Sequence, residues 1–140
     1  MYKRQHYETS NYAKPNKQSQ HNKSYWRGKD YLGIGPSAVG TIRRQRYKNI
    51  ADTNAYIRRI NHVGHAQQDI ENLTEEDYRI ERIALLLRTD TGLPAQWLST
   101  TEEREIKLLV EENLAEWHNN HFRLINHGPM LVDSIAERLI

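Results

Sequence analysis

The sequence contains no cysteine, which excludes disulfides, thiolate zinc sites, a cysteine nucleophile and a cysteine-held iron–sulfur cluster. It has no run of 18 apolar residues, and no apolar stretch follows Met1, so neither a membrane span nor a secretory signal is expected. A cytoplasmic protein is the default expectation. Counted with glycine and without tyrosine, apolar residues make up about 36 % of the chain, against roughly 45–50 % on the same count in an ordinary globular chain. The deficit is local: residues 1–31 contain no Leu, Ile, Val or Phe, and the first of these is Leu32. Such a segment buries too little surface to order itself, so it is expected to be disordered or to pack on something else. No glycine-rich loop ends in Gly-Lys-Ser/Thr, which removes a Walker phosphate cradle.

What is present is a charge asymmetry. Residues 1–60 carry 13 Lys+Arg against 3 Asp+Glu, whereas residues 61–140 carry 7 against 15. The split suggests a basic arm that meets an anion, backed by an acidic half. At 140 residues the chain is one domain or a piece of a larger protein.

The pattern along the chain is that of an α+β protein. Residues 7–12 suit one strand of a larger sheet, and residues 13–24 read as a loop. Gly33, Gly35 and Gly40 punctuate two short strands within Tyr31–Ile42. Asp52 is placed to cap a helix through about His62, with Ala55, Tyr56, Ile57 and Ile60 on one side. Residues 63–73 read as a loop. Thr74 and Asp77 form a weakened capping box for a helix to about Arg88, whose stripe is Ile80, Ile83, Ala84 and Leu87. Gly92 ends that run, and Pro94 begins a short turn of helix with Trp97 and Leu98. Ser99 or Thr100, with Glu102 or Glu103, opens a helix facing Ile106, Leu109 and Val110 inward. Residues 114–117 and 121–125 bracket His118-Asn119-Asn120 as a β-hairpin. Asn126 caps a last helix with Pro129 in its first turn and Leu131, Ile135 and Leu139 inward. Helix, hairpin, helix is a winged-helix-like order.

Seven histidines invite a metal site, but His62/His65 and His118/His121 come only in pairs, and zinc sites take three or four protein ligands. Gly33-Ile34-Gly35-Pro36-Ser37-Ala38 begins like a dinucleotide fingerprint and lacks its third glycine and following helix. His21-Asn22-Lys23-Ser24-Tyr25-Trp26 is more informative. A histidine four and five residues before two aromatics suits an axial haem ligand beside rings that cover the macrocycle. Lys14, Lys17, Lys23, Arg27 and Lys29 would suit porphyrin propionates. The bland alternative is ordinary packing of an imidazole near aromatics. Nucleic-acid binding by the winged unit is disfavoured, because residues 99–140 carry 4 Lys+Arg against 8 Asp+Glu, the wrong sign for DNA.

Tyr7-Glu8-Thr9-Ser10-Asn11-Tyr12-Ala13-Lys14-Pro15, followed by the run from His21 to Pro36, closely resembles the HemW-type haem chaperones. These are relatives of the oxygen-independent coproporphyrinogen III oxidases in the radical SAM superfamily. The resemblance continues through Arg46-Tyr47-Lys48-Asn49, the Glu81–Gly92 region and the terminal helix–hairpin–helix. It implies that His21 takes part in haem binding, with Tyr25 and Trp26 in support, and that a haem-accepting protein is a partner. It implies that residues 1–50 are closing strands of a radical SAM partial barrel and residues 51–140 a mainly helical C-terminal domain. By the same resemblance Gly35, Ala38 and Val39 lie near S-adenosylmethionine. The chaperones usually read Gly-Ala-His where this chain has Ser37-Ala38-Val39, closer to the oxidase form. The family's CxxxCxxC motif is absent, so a 4Fe-4S cluster belongs to the longer parent and this chain alone is expected to be catalytically inactive. The chain is accordingly expected to be the C-terminal part of such a protein (a shortened piece, a truncated reading frame or a split-gene product), with the N-terminal barrel half as a possible partner. Beside haem delivery stand two alternatives, the C-terminal part of a coproporphyrinogen oxidase and a fragment without separate activity.

Overall fold

The computed structural model describes residues 3–140 as two compact units. One joins the segment ending at Gly28 to Arg79–Ile140, and the other is Lys29–Tyr78. The boundary expected at residue 50 falls inside the second unit.

The first unit begins with strands β1 (Gln5–Glu8) and β2 (Asn11–Ala13), paired antiparallel with His6 opposite Tyr12. The ribbon replaces the single strand expected over 7–12. The Glu8 carboxylate turns the chain back by accepting from the Ser10 amide at 2.9 Å and the Ser10 hydroxyl at 2.7 Å. The outer edge of β1 is closed by the chain at 88–90: Thr9 N–H donates to Arg88 O at 2.9 Å and Asp90 N–H to Tyr7 O at 3.2 Å. Tyr7 and Glu8 are thereby buried. The described part of this segment, which has none of the usual core side chains, packs on the rest of the unit, the second of the two expected outcomes. Helix α1 (Gln20–Trp26) replaces part of the loop expected over 13–24, capped by the Ser19 hydroxyl on the Asn22 amide.

The core lies in the rest of this unit. Ile83 and Leu87, in and just beyond helix α3 (Glu75–Leu86), pack with Leu109 of α4 (Glu103–Glu111) and with Ile135 and Leu139 in and just after α5 (Val132–Arg138). Phe122, the one phenylalanine of the sequence, is fully buried in it. Strands β6 (Leu93–Pro94), β7 (Ala115–His118) and β8 (His121–Leu124) form a sheet in the order β6-β8-β7. The expected hairpin is present, turning on Asn119 and Asn120 with φ of 48° and 61°, the left-handed pair of a type I′ turn. The 3-10 turn before α4 opens with a complete capping box between Ser99 and Glu102. Two details differ from expectation. Val110 and Leu131 face outward, and Asn126 does not cap α5 but donates its side-chain amide to Asn113 O at 3.0 Å. A 3-10 turn, Gly128–Leu131, with Pro129 in its first positions, leads into α5 instead.

The second unit is a sheet in the order β3-β4-β5, made of Val39–Ile42, Gln45–Asn49 and Gln67–Asn72, with helix α2 (Thr53–Val63). Asp52 caps α2 through the Ala55 amide, as expected, and Gly64 ends it with φ 83°. No residue of α2 is buried, so the expected apolar side is only partly covered. Strand β5 stands where a loop was expected. Between Tyr31 and Ile42 only one strand forms; Tyr31 makes a single bridge to Thr41. Asp77 and Thr74 cap α3 reciprocally: the Thr74 amide and hydroxyl donate to the carboxylate, and the Asp77 amide donates to the hydroxyl.

Candidate functional site

Helix α1 carries His21, Tyr25 and Trp26 on seven residues. His21 and Tyr25 are four apart, so they lie one turn apart on the same face. Both are exposed. Among the described residues none hydrogen-bonds the His21 imidazole. The Tyr25 and Trp26 rings meet edge-to-face, with centroids 5.3 Å apart at 76°, the arrangement favoured by ring quadrupoles. Trp26 is half-buried, and its indole N–H is buried with no acceptor among the described residues.

The helix has no buried residue of its own, so its position is fixed from its ends. At the C-terminal end the chain turns at Gly28, φ 59°, where the Gly28 amide donates to Tyr25 O at 2.8 Å. Arg82, a buried side chain of α3, donates to Trp26 O at 3.1 Å. A cation there also complements the negative end of the helix dipole.

Against α1 lies a small hollow of about 50 Å³, lined by Tyr7, Lys23, Trp26, Arg27, Leu86 and the Thr89–Thr91 segment, well below the size of small-molecule pockets. The hollow takes one face of Trp26, while His21 and Tyr25 stand in solvent. The arrangement suits a flat ligand lying on the helix, with Lys23 and Arg27 at hand for its acidic groups. Nothing in the sequence pointed to Tyr7, Leu86 and Thr89–Thr91 in this role, because they lie far away in the chain. Nor did it mark Arg82, which sits among the aliphatic residues of α3.

Gly35, Ala38 and Val39 come together in the second unit, in a segment whose backbone is already engaged. Gly33 N–H donates to the Tyr47 hydroxyl at 3.1 Å and Gly35 N–H to the Tyr56 hydroxyl at 3.2 Å. The buried Asn49 amide donates to Gly33 O at 2.9 Å and Gly35 O at 3.0 Å. Ala38 donates to Gly35 O and accepts from Asn49 N–H. Glycine at 33 is required by contact: a Cβ there would stand 2.6 Å from the Val39 carbonyl. The Leu32, Ile34 and Val39 side chains remain exposed.

The histidine pairs find other partners. His118 and His121 face each other across the hairpin, where His121 Nδ1 lies 2.9 Å from Asn119 O and His118 Nε2 lies 3.1 Å from Asn119 Nδ2. His62 and His65 flank Gly64 and are exposed. No group of three or more His, Asp or Glu that could hold a metal ion gathers among the described residues. No described helix is long and apolar enough to cross a membrane.

No family model matches the chain. Individual proteins do. The chain is 36 % identical over 137 residues to the heme chaperone HemW of Bacillus subtilis, covering 92 % of this chain and 36 % of that protein. It is 28 % identical over 134 residues to HemW of Mycobacterium tuberculosis, covering 96 % and 34 %. The radical S-adenosyl methionine domain-containing protein 1 of Mus musculus is 32 % identical over 154 residues, covering 96 % and 35 %. The chain thus spans about a third of the length of these relatives. In fold it is similar to the coproporphyrinogen III oxidase HemN of Escherichia coli, a radical SAM enzyme, with a TM-score of 0.69, 18 % identity, and 97 % of this chain matched to 37 % of that one.

Proposed function

From the premise that this chain is a relative of the C-terminal part of HemW-type haem chaperones, we propose that it binds haem through α1 and takes part in passing it to a recipient protein. The observation that carries this is the exposed His21, one turn before an exposed Tyr25 that stacks edge-on with Trp26. His21 is the axial ligand, Tyr25 and Trp26 are ring contacts, and Lys23 and Arg27 are propionate partners. Haem supplies its iron and its flat apolar face; the chain holds and orients it. A ligand carried on an exposed helix, not enclosed in the core, is open to an incoming acceptor.

A radical SAM cluster does not fit this chain, since three thiolates are required and the sequence has none. Gly35, Ala38 and Val39 are assigned to S-adenosylmethionine contact only together with an N-terminal barrel half carrying those cysteines, which is the further partner of this reading.

The test is a titration of the purified chain with haemin, followed at the Soret band, beside His21→Ala. Loss of one saturable equivalent in the variant, or binding weaker by about tenfold, supports the assignment. Equal binding by both proteins overturns it. A second reading, favoured by Ser37-Ala38-Val39, makes the longer protein a coproporphyrinogen oxidase. Anaerobic accumulation of protoporphyrinogen by that protein would support it.

A further inference from the structure

Helix α1 lies on the first unit without being built into its core. None of its residues is buried, and the bonds around it are short-range. Lys17 N–H donates to Lys14 O at 3.0 Å, Lys23 Nζ to Gln18 Oε1 at 2.5 Å, and Arg27 N–H to Lys23 O at 3.1 Å. On either side the backbone turns through a left-handed residue, Asn16 at φ 62° before the helix and Gly28 at φ 59° after it. Positions just outside an element are where hinge motion is absorbed.

The seat beneath the helix is incomplete. Trp26 meets Tyr7, Leu86 and the Thr89–Thr91 segment around a hollow of about 50 Å³ that its ring does not fill. Its indole N–H is buried with no acceptor among the described residues. An unmade bond at a buried donor is a standing cost, and it disappears when the ring is raised into water. Arg82 acts in the other direction, donating to Trp26 O at 3.1 Å. The lowered position therefore balances a cationic clasp against an unsatisfied donor. The helical core has no such conflict: Ile83, Leu109 and Ile135 are 0–1 % exposed. Segments with few buried contacts open well before such cores do.

We propose that residues 17–28 form a strap that lifts from this seat, pivoting at Asn16 and Gly28, while the core stays folded. Lifting uncovers the Tyr7 and Leu86 side chains and turns the indole N–H to water; the Arg82 bond draws the strap down again. The strap gates whatever lies beneath Trp26, and Arg82 sets its open fraction. This is a property of the unliganded chain and does not depend on what α1 binds, so its test uses no ligand.

The test is nuclear magnetic resonance of the full chain. The Trp26 indole N–H, identified by its loss in Trp26→Phe, is protected by burial alone, so its exchange with solvent reads the lifting. In the parent chain that exchange should be insensitive to urea below the unfolding transition, whereas core amides such as Ile135 follow urea. Backbone relaxation dispersion over residues 17–28 should fit one shared rate that is absent from α3 and α5. Arg82→Met, checked for unchanged far-ultraviolet circular dichroism, should speed the indole exchange by about tenfold or more. If the indole follows urea as the core does, only global unfolding releases it and the strap is overturned, whether or not Arg82→Met folds. If the indole exchanges while the backbone of 17–28 stays flat, the ring alone moves, which also overturns it. An Arg82→Met chain that folds and exchanges like the parent removes Arg82 as the clasp.

Discussion

The guanidinium of Arg82 fills the space that a side chain at residue 28 would need: a Cβ on Gly28 would stand 1.9 Å from Arg82 Nη1. The same guanidinium donates to Trp26 O. Glycine at 28 therefore serves both the left-handed turn that ends α1 and the close approach of the cation that steadies it.

Gly28→Ala should lower stability by about 1–3 kcal/mol, from the left-handed conformation and the displaced guanidinium together. Thermal unfolding should show a fall of several degrees, and haemin affinity should fall with it. An unchanged melting temperature would mean that the Arg82 contact is incidental.

Arg82→Met keeps most of the buried volume and removes the donor. Amide hydrogen exchange within α1 should accelerate by about tenfold or more, as expected for loss of a charge-assisted hydrogen bond worth about 1.5–3 kcal/mol. Exchange in α5 should change less.

Glu102 predicts a pH dependence. Burial raises its pKa, but hydrogen bonds from the Ser99 hydroxyl and amide and the neighbouring Arg79 outweigh it, lowering the pKa from 4.5 to about 2. A carboxyl depressed on folding stabilises the protein above its unfolded pKa, and that stability is lost as pH falls through the folded one. Between pH 4.5 and about 2 the chain should therefore lose on the order of 2 kcal/mol from this group. Ser99→Ala should flatten that part of the acid titration, measured by urea unfolding at a series of pH values.

The Asn119-Asn120 turn should respond oppositely to two substitutions. Asn120→Gly suits the left-handed position and should be neutral or stabilising by a few tenths of a kcal/mol, whereas Asn120→Ala should cost about 1 kcal/mol. The midpoint of urea unfolding at constant slope reads the difference.

Elements with a strong local signal were legible in the sequence. Asp52 capped α2, Thr74 and Asp77 capped α3, and the Asn pair marked the hairpin. Elements held by backbone pairing or by a distant partner were not. Strand β5 has one large aliphatic residue, Ile70, and that is exposed; the strand exists because β4 pairs with it, so no alternation betrays it. Helix α1 rests on a serine cap and an arginine 56 residues from Trp26. The apolar stripes were right at their centres, at Ile83, Leu109 and Ile135, and wrong at their edges, at Val110 and Leu131. A period defines a face, but its width depends on neighbours that periodicity does not contain. His21, Tyr25 and Trp26 were readable because one helix holds them all, while the hollow beside them needed the fold.

The first unit is discontinuous in sequence, and this has a consequence for its synthesis. Chains emerge at roughly 5–20 residues per second, so the ribbon and α1 leave the ribosome well before their partners at 82 and 88–90. The core stays open longer still, until Leu139 is released. The residues of the second unit are all available earlier. On the nascent chain, the haem-ligand helix proposed here thus waits several seconds without its arginine clasp. The seat of α1 is completed only once Arg82 and the 88–90 segment have been made.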